Sequence, residues 1–183
     1  IHMSMEKKIA DLKKRRERLH LGGGADKQEK HRSQGKLTAR ERIDGILDPG
    51  SFHEVGLFAQ HRATQFGMEG KEVPADGVVT GAGTIDGRLV HFASQDFTVM
   101  GGSAGELHSV KVAKIMEQSL KTGTPFVFIN DSGGARVQEG IDSLSGYGQV
   151  FYSNVQLSGA VPQISMICGP CAGGAAYSPA LTD

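Results

Sequence analysis

Apolar and polar residues recur along this chain with two different periods, and the change between them divides it. Over Met5–Leu21 the apolar positions Ile9, Leu12 and Leu19 fall at helical spacing among lysines, arginines and glutamates, and Gly22-Gly23-Gly24 stops the run. Thr38 to Leu47 predicts a second helix, because Thr38 followed by Glu41 fits a capping box and Asp48-Pro49-Gly50 ends the segment. The polar basic stretch His31–Lys36 before it reads as a loop. Ser51–Phe58 predicts a short strand, and His61–Lys71 a further loop. From Asp76 the pattern changes. Asp76–Ile85 and Arg88–Ser94 alternate or run apolar, and Asp86-Gly87 between them is a hairpin signal. A loop through Gln95–Ser103 then leads into a helix over Ser103–Lys121, with Val110, Ala113, Ile115, Met116 and Leu120 broadly on one side. Strands over Phe126–Asn130 and Gln163–Cys168 flank a helical segment at Gln138–Gly159, and another helix starts at Tyr177, interrupted at Pro179.

The later part therefore reads β-β-α-β-α-β-α, an α/β pattern in which helices closely follow strands and the strands run parallel through right-handed crossovers. Two glycine-rich turns fall just after apolar strands: Asp131-Ser132-Gly133-Gly134-Ala135-Arg136 and Gly169-Pro170-Cys171-Ala172-Gly173-Gly174-Ala175. Small residues between a strand and a helix leave backbone N–H groups unpaired and pointing outward. Two such turns side by side would aim several N–H groups at one point, the geometry of an oxyanion hole, at the strand ends where open α/β sheets bind ligands. The pattern points to chemistry at a carbonyl, performed mainly by backbone.

Composition narrows the field. The chain has 183 residues, enough for one domain with a core, and 20 basic against 20 acidic side chains, a balance that argues against nucleic-acid binding. Its 26 glycines sit in turns without a period, so a collagen-like or low-complexity chain is excluded. No apolar run approaches the ~20 residues that span a bilayer and no signal-peptide pattern opens the chain, so a cytoplasmic protein is expected. Ile1-His2-Met3 reads as a cloning remnant. Cys168-Gly169-Pro170-Cys171 has thioredoxin-type spacing, yet Ala172-Gly173-Gly174-Ala175 follows it, no tryptophan precedes it, and no second pair completes a zinc site. Cys168 reads instead as the end of a buried strand and Cys171 as a small turn residue. No metal site is expected.

Longer strings carry a resemblance. Ser94-Gln95-Asp96-Phe97-Thr98-Val99-Met100-Gly101-Gly102-Ser103, then Asn130 through Gly140, then Gly169 through Asp183, resemble the carboxyltransferase (beta) subunits of biotin-dependent acyl-CoA carboxylases, and Gln34-Gly35-Lys36-Leu37-Thr38-Ala39-Arg40-Glu41-Arg42 matches their N-terminal segment. The propionyl-CoA carboxylase type is nearest, with its methylmalonyl-CoA decarboxylase and transcarboxylase counterparts. The resemblance implies a crotonase-like spiral of β-β-α units. It divides the chain into an N-terminal helical CoA-side segment (4–50) and the first part of the N-terminal carboxyltransferase domain (51–183). The second domain is absent, and the chain stops just inside a helix at Asp183, as a fragment would.

The resemblance also implies transfer of CO2 between carboxybiotin and the α-carbon of a short acyl-CoA, propionyl-CoA or methylmalonyl-CoA. The thioester enolate and the biotin ureido oxygen each need stabilising. The amides around Gly133, Gly134 and Ala135 and around Ala172, Gly173 and Gly174 are the catalytic candidates, with the assignment of turn to carbonyl left open. Gly101, Gly102 and Ser103 would line the CoA side at a helix start, and Arg32, Lys36 and Arg40 are candidates for the CoA phosphates, equally well read as solvated basic residues. Asp131, Arg136 and Glu139 would brace the turns through an ion pair, and His91 and His108 are structural. Expected partners are a biotin carboxyl carrier or biotin carboxylase subunit and copies of the chain in a hexamer, with a membrane involved only through partner subunits of a decarboxylase pump. Two other classes compete. A crotonase-type hydratase or hydrolase would need an acidic side chain over the turns, with Glu139 the one nearby, and a non-catalytic piece would only bind CoA or assemble. A nucleophilic Ser132 lacks the G-x-S-x-G elbow.

Overall fold

The computed structural model describes residues 4–183, so the remnant reading of Ile1-His2-Met3 lies outside the described residues. Helices α1 (Met5–His20), α2 (Ala25–Ser33) and α3 (Ala39–Asp44) precede a five-stranded sheet of β1 (His53–Val55), β2 (Val78–Ile85), β3 (Arg88–Gln95), β4 (Phe126–Ser132) and β5 (Gln163–Cys171). The spatial order is the chain order. β1–β2 and β2–β3 pair antiparallel, β3–β4 and β4–β5 parallel. Helices α4 (Glu106–Thr122) and α5 (Ile141–Leu157) make the crossovers, and a short α6 (Gly174–Tyr177) follows β5. The α/β pattern and its parallel half are as the sequence predicts.

Side-chain alternation along the strands builds two cores. Phe126 and Phe128 of β4 face Val112, Ile115 and Met116 of α4 and Val150 and Leu157 of α5. Val127 and Ile129 face the other way, against Ala39, Ile43 and Leu47 of the N-terminal segment together with Val79, Val90 and Phe92. The capping box forms as the spacing predicts, with the Glu41 N–H donating to Thr38 Oγ1 and the Glu41 carboxylate accepting from the Thr38 N–H. The hairpin turn is left-handed at both Asp86 (φ 49°) and Gly87 (φ 74°), the form that matches strand twist. Asp48 accepts from the Asp86 and Gly87 N–H groups and from Thr84 Oγ1, which lowers its pKa.

Four elements depart from the sequence pattern. The first three residues of the expected loop at His31–Lys36 belong to α2, a helix whose one buried residue is His31. In α1 only Leu19 is buried; Ile9 and Leu12 face solvent. Strand β5 continues through Gly169-Pro170-Cys171, so the second turn begins at Ala172 and Cys171 is a strand residue. The last helix starts at Gly174 and ends at Tyr177, rather than starting there, and a 3₁₀ turn at Pro179–Leu181 follows.

Candidate functional site

Both glycine turns emerge from the C-terminal ends of neighbouring parallel strands, β4 and β5, and they abut. The Ala172 N–H donates to the Ser132 carbonyl at 3.3 Å. A Cβ on Gly134, whose φ is +100°, would stand 2.8 Å from the Ala172 carbonyl oxygen, so the approach requires glycine. The N–H groups divide into spent and unspent. Gly133 donates to the Gly101 carbonyl at 3.0 Å, and Gly134 to Ser132 Oγ at 3.0 Å. Among the described residues, the N–H groups of Ala135, Gly173 and Gly174 have no protein acceptor. The set suits an oxygen that gains negative charge.

The first turn is braced from behind. Arg136, wholly buried, bonds the carboxylates of Asp76 and Glu139 and donates to the Ser103 carbonyl at 2.8 Å. Glu139 also accepts the Glu106 N–H at 2.7 Å, capping α4, so it is unavailable to act over the turns as a hydratase would require. The expected bracing ion pair is there, with Asp76 as a member that the sequence did not single out. Asp131 pairs elsewhere, with Arg42 of α3 at 2.6 Å, and His31 Nε2 lies 3.6 Å from the same oxygen. This buried pair fastens the N-terminal segment to the end of β4.

Ser132 is buried at the end of β4 with no histidine among its hydrogen-bond partners, so nothing here activates it as a nucleophile. Tyr147 of α5 also went unremarked in the sequence. It packs on Gly174, where a Cβ would meet its ring at 3.0 Å, and burial pushes its hydroxyl up to a pKa of about 12. Its i+1 spacing from Gly146, which lets α5 approach Ser109 closely, was the one signal available.

The CoA-side candidates separate. Gly101 lines a groove of about 310 Å³ with Lys27, Lys30, His31, Gln34, Phe97, Thr98 and Met100. Gly102 is buried against the Asp131 carbonyl, and Ser103 Oγ donates to the Met100 carbonyl at 2.8 Å. The three lie upstream of α4 rather than at its start. Lys36 Nζ stands 5.7 Å from the Phe97 ring centroid, at the groove's edge. Arg32 bonds Glu41 at 2.8 Å, and Arg40 holds Glu54 with two bonds of 2.8 Å. Lys27 and Lys30, which the sequence hid inside a helix without apolar periodicity, supply the groove's charge.

His108 and His91 are interior. His108 Nδ1 bonds the Asp76 carbonyl at 2.9 Å and burial holds the ring neutral, its pKa well below the ordinary value. His91 Nδ1 meets Thr124 Oγ1 at 2.8 Å, and burial lowers its pKa. Cys168 and Cys171 are both free and sit three apart on one strand, where side chains point to opposite faces. Cys168 joins the core beside Val127 and Ile129, and Cys171 Sγ donates to the Ala175 carbonyl at 3.1 Å. The described residues hold no cluster able to bind a metal ion, and none of their helices is long and apolar enough to cross a membrane.

Comparison with known proteins gives a consistent result. A family described as carboxyl transferase domain matches residues 30–183. The methylmalonyl-CoA carboxyltransferase 12S subunit of Propionibacterium freudenreichii subsp. shermanii is 66% identical over 180 residues, covering 98% of this chain and 34% of the relative. The propionyl-CoA carboxylase beta chain of Roseobacter denitrificans is 57% identical over 96% of this chain and 34% of its own length, and the methylmalonyl-CoA decarboxylase subunit alpha of Propionigenium modestum 56% over 97% and 34%. This chain thus spans about a third of the relatives' length. A transcarboxylase 12S crystal structure, described as a hexamer with methylmalonyl-coenzyme A and methylmalonic acid bound, superposes with a TM-score of 0.98 at 64% identity, over 100% of this chain and 36% of that one. The fold is the crotonase-like fold of the carboxyltransferases.

Proposed function

We propose, given that this chain belongs to the carboxyl transferase domain family, that it supplies the front part of a site moving a carboxyl group between carboxybiotin and the α-carbon of propionyl-CoA or methylmalonyl-CoA. The observation that carries this reading is the pair of abutting turns with unspent N–H groups at Ala135, Gly173 and Gly174. An α-proton of a thioester is weakly acidic, and its loss, or the loss of a carboxyl group from that carbon, places negative charge on the thioester oxygen. Preorganised N–H donors lower that barrier, with one lost donor worth ~2.7–4 kcal/mol in comparable sites. Carboxybiotin, when bound, supplies an activated carboxyl group and a ureido nitrogen able to take the α-proton. Ala135, Gly173 and Gly174 hold the oxygen, and the Arg136–Asp76–Glu139 cluster keeps the first turn from yielding as charge develops.

The groove at Gly101 suits the CoA arm. Lys27 and Lys30, with Lys36 at its edge, present ammonium groups to phosphates, and Phe97 gives an apolar wall. A second set of donors would come from a second domain of the same family, in a neighbouring copy within a hexamer. Consistent with partners on more than one side, apolar side chains stay exposed on β5 (Ile164, Met166 and Ile167) and on α5 (Ile141, Leu144 and Val155). A biotin carboxyl carrier or biotin carboxylase subunit is the expected partner, in the cytoplasm. Carboxylase, decarboxylase and transcarboxylase share this half-reaction.

The test is transfer of a labelled carboxyl group from methylmalonyl-CoA to biotin by the subunit as its gene encodes it. Biotin-dependent release of propionyl-CoA is the expected result. No transfer, or release that ignores biotin, would overturn the reading.

A further inference from the structure

The first turn is held in shape by a segment that arrives from the groove. Gly101–Ala104 runs beside Gly133–Arg136 and bonds it through the backbone: the Gly133 N–H donates to the Gly101 carbonyl at 3.0 Å, the Ala104 N–H to the Gly134 carbonyl at 2.9 Å, and the Arg136 N–H to the Ala104 carbonyl at 2.9 Å. The middle bond decides where Ala135 points. The Gly134 carbonyl and the Ala135 N–H share one planar trans peptide, so they face opposite ways. With the carbonyl turned to Ala104, the unspent Ala135 N–H is turned away from that segment. Upstream, the same stretch of chain lines the groove through Phe97, Thr98, Met100 and Gly101. The backbone there is strained. Met100, Gly101 and Gly102 are successively left-handed at φ 49°, 65° and 63°, a conformation that a methionine resists. Ser103 Oγ holds the strained turn by donating to the Met100 carbonyl at 2.8 Å, and Gly102 lies so close to the Asp131 carbonyl that no Cβ would fit.

We propose that Met100–Ala104 is a positioning element through which the CoA arm, seated in the groove, fixes the direction of the Ala135 N–H. This rests on the carboxyl-transfer reading above and on its placing of the CoA arm. Met100 and Gly101 are half-buried, so an occupant of the groove can pack on them. Such packing confines a turn that its own backbone preferences work against. The confinement reaches the first glycine turn directly, because Gly101 and Ala104 are both bonded to it. An Ala104 N–H kept on the Gly134 carbonyl stops that peptide from rotating, so its N–H and not its carbonyl meets the developing charge. Binding energy from a part of the substrate remote from the reaction is thereby used to preorganise a donor. It acts on kcat more than on KM.

The experiment compares kcat for methylmalonyl-CoA with kcat for its N-acetylcysteamine thioester, which lacks the phosphorylated arm, in the gene-encoded subunit. The wild type should turn over the CoA thioester at least about tenfold faster. Ser103→Ala removes the hydroxyl that holds the Met100 carbonyl. It should narrow that ratio about fivefold, the equivalent of one ordinary hydrogen bond, and Ser103→Thr should restore it. A merely structural hydroxyl would slow both thioesters alike, so an unchanged ratio in Ser103→Ala overturns the proposal. Hydrogen exchange gives a readout without turnover. Saturating coenzyme A should slow the Gly133 and Ala104 amides of the wild type at least about fivefold. Protection of α2 with those two amides unchanged would overturn the coupling and leave the groove assignment standing, whereas protection of neither would overturn both. Should the wild type transfer no carboxyl group, the functional reading fails by itself and exchange still decides the coupling. If Ser103→Ala does not fold, the exchange comparison in the wild type settles the matter.

Discussion

Gly134 concentrates the demands that the site places on single residues. Its φ of +100° suits glycine, and its missing Cβ is what lets the Ala172 carbonyl approach. Gly134→Ala should therefore drive the two turns apart and lower carboxyl-transfer kcat at least ~100-fold, the scale of a lost oxyanion donor. Steady-state kinetics with a parallel circular-dichroism spectrum would check that outcome, a near-native rate refuting it. The sequence showed where the small residues lie, because glycine strings after apolar runs are a local signal. It did not show which N–H groups remain unspent. That depends on the Gly101 carbonyl, delivered by a loop far away in sequence, and on one serine rotamer. Arg32 and Arg40 show the same boundary: as charges they were visible, but their partners Glu41 and Glu54 became known only once the chain had folded.

Among the elements, α4 does more than cross over between β3 and β4. Ala75, Asp76 and Gly77 are successively left-handed, at φ 50°, 49° and 72°, a conformation that ordinary residues resist. One face of α4 holds them there. Lys111 Nζ bonds the Ala75 carbonyl at 2.6 Å and the Val78 carbonyl at 2.5 Å, and the His108 N–H bonds Asp76 Oδ2 at 2.6 Å. The turn in turn presents Asp76 to Arg136. Burial pushes the Lys111 pKa down to about 8 from 10.5. Below about 8 both states are protonated and the fold bears the full penalty. Between the two values the unfolded chain binds more protons, so stability rises with pH, by up to a few kcal/mol. Urea midpoints should show that rise in the wild type and a flatter profile in Lys111→Met; parallel profiles would refute the assignment. On the acid side, the fold keeps His108 neutral, so stability falls as pH drops below 6.5 and the unfolded chain takes the proton. Periodicity revealed α4 and the hairpin well, since each has a buried face. It missed α2, whose sequence carries no apolar stripe.

The molecule as a whole is joined across the sheet by a buried pair. Arg42 on α3 and Asp131 at the end of β4 meet at 2.6 Å with almost no solvent, so the N-terminal segment is part of the domain rather than an arm laid on it. Arg42→Ala removes the guanidinium from the buried Asp131 carboxylate and leaves it only His31, and should cost roughly 3–5 kcal/mol of unfolding free energy. Denaturant titration would measure it, and a loss below ~1 kcal/mol would mean that water has replaced the guanidinium. The same pair sets an order in time. Its members stand 89 positions apart in the chain. A ribosome adding about 5–20 residues per second needs on the order of ten seconds to reach the carboxylate after making the arginine. Midway through that interval the β2–β3 hairpin brings Val79, Val90 and Phe92 to the underside of α3, while Val127 and Ile129 of β4 come last. A nascent chain of this protein thus carries, before it has a site at all, a helix seated on a hairpin whose arginine has no carboxylate to meet until β4 has emerged.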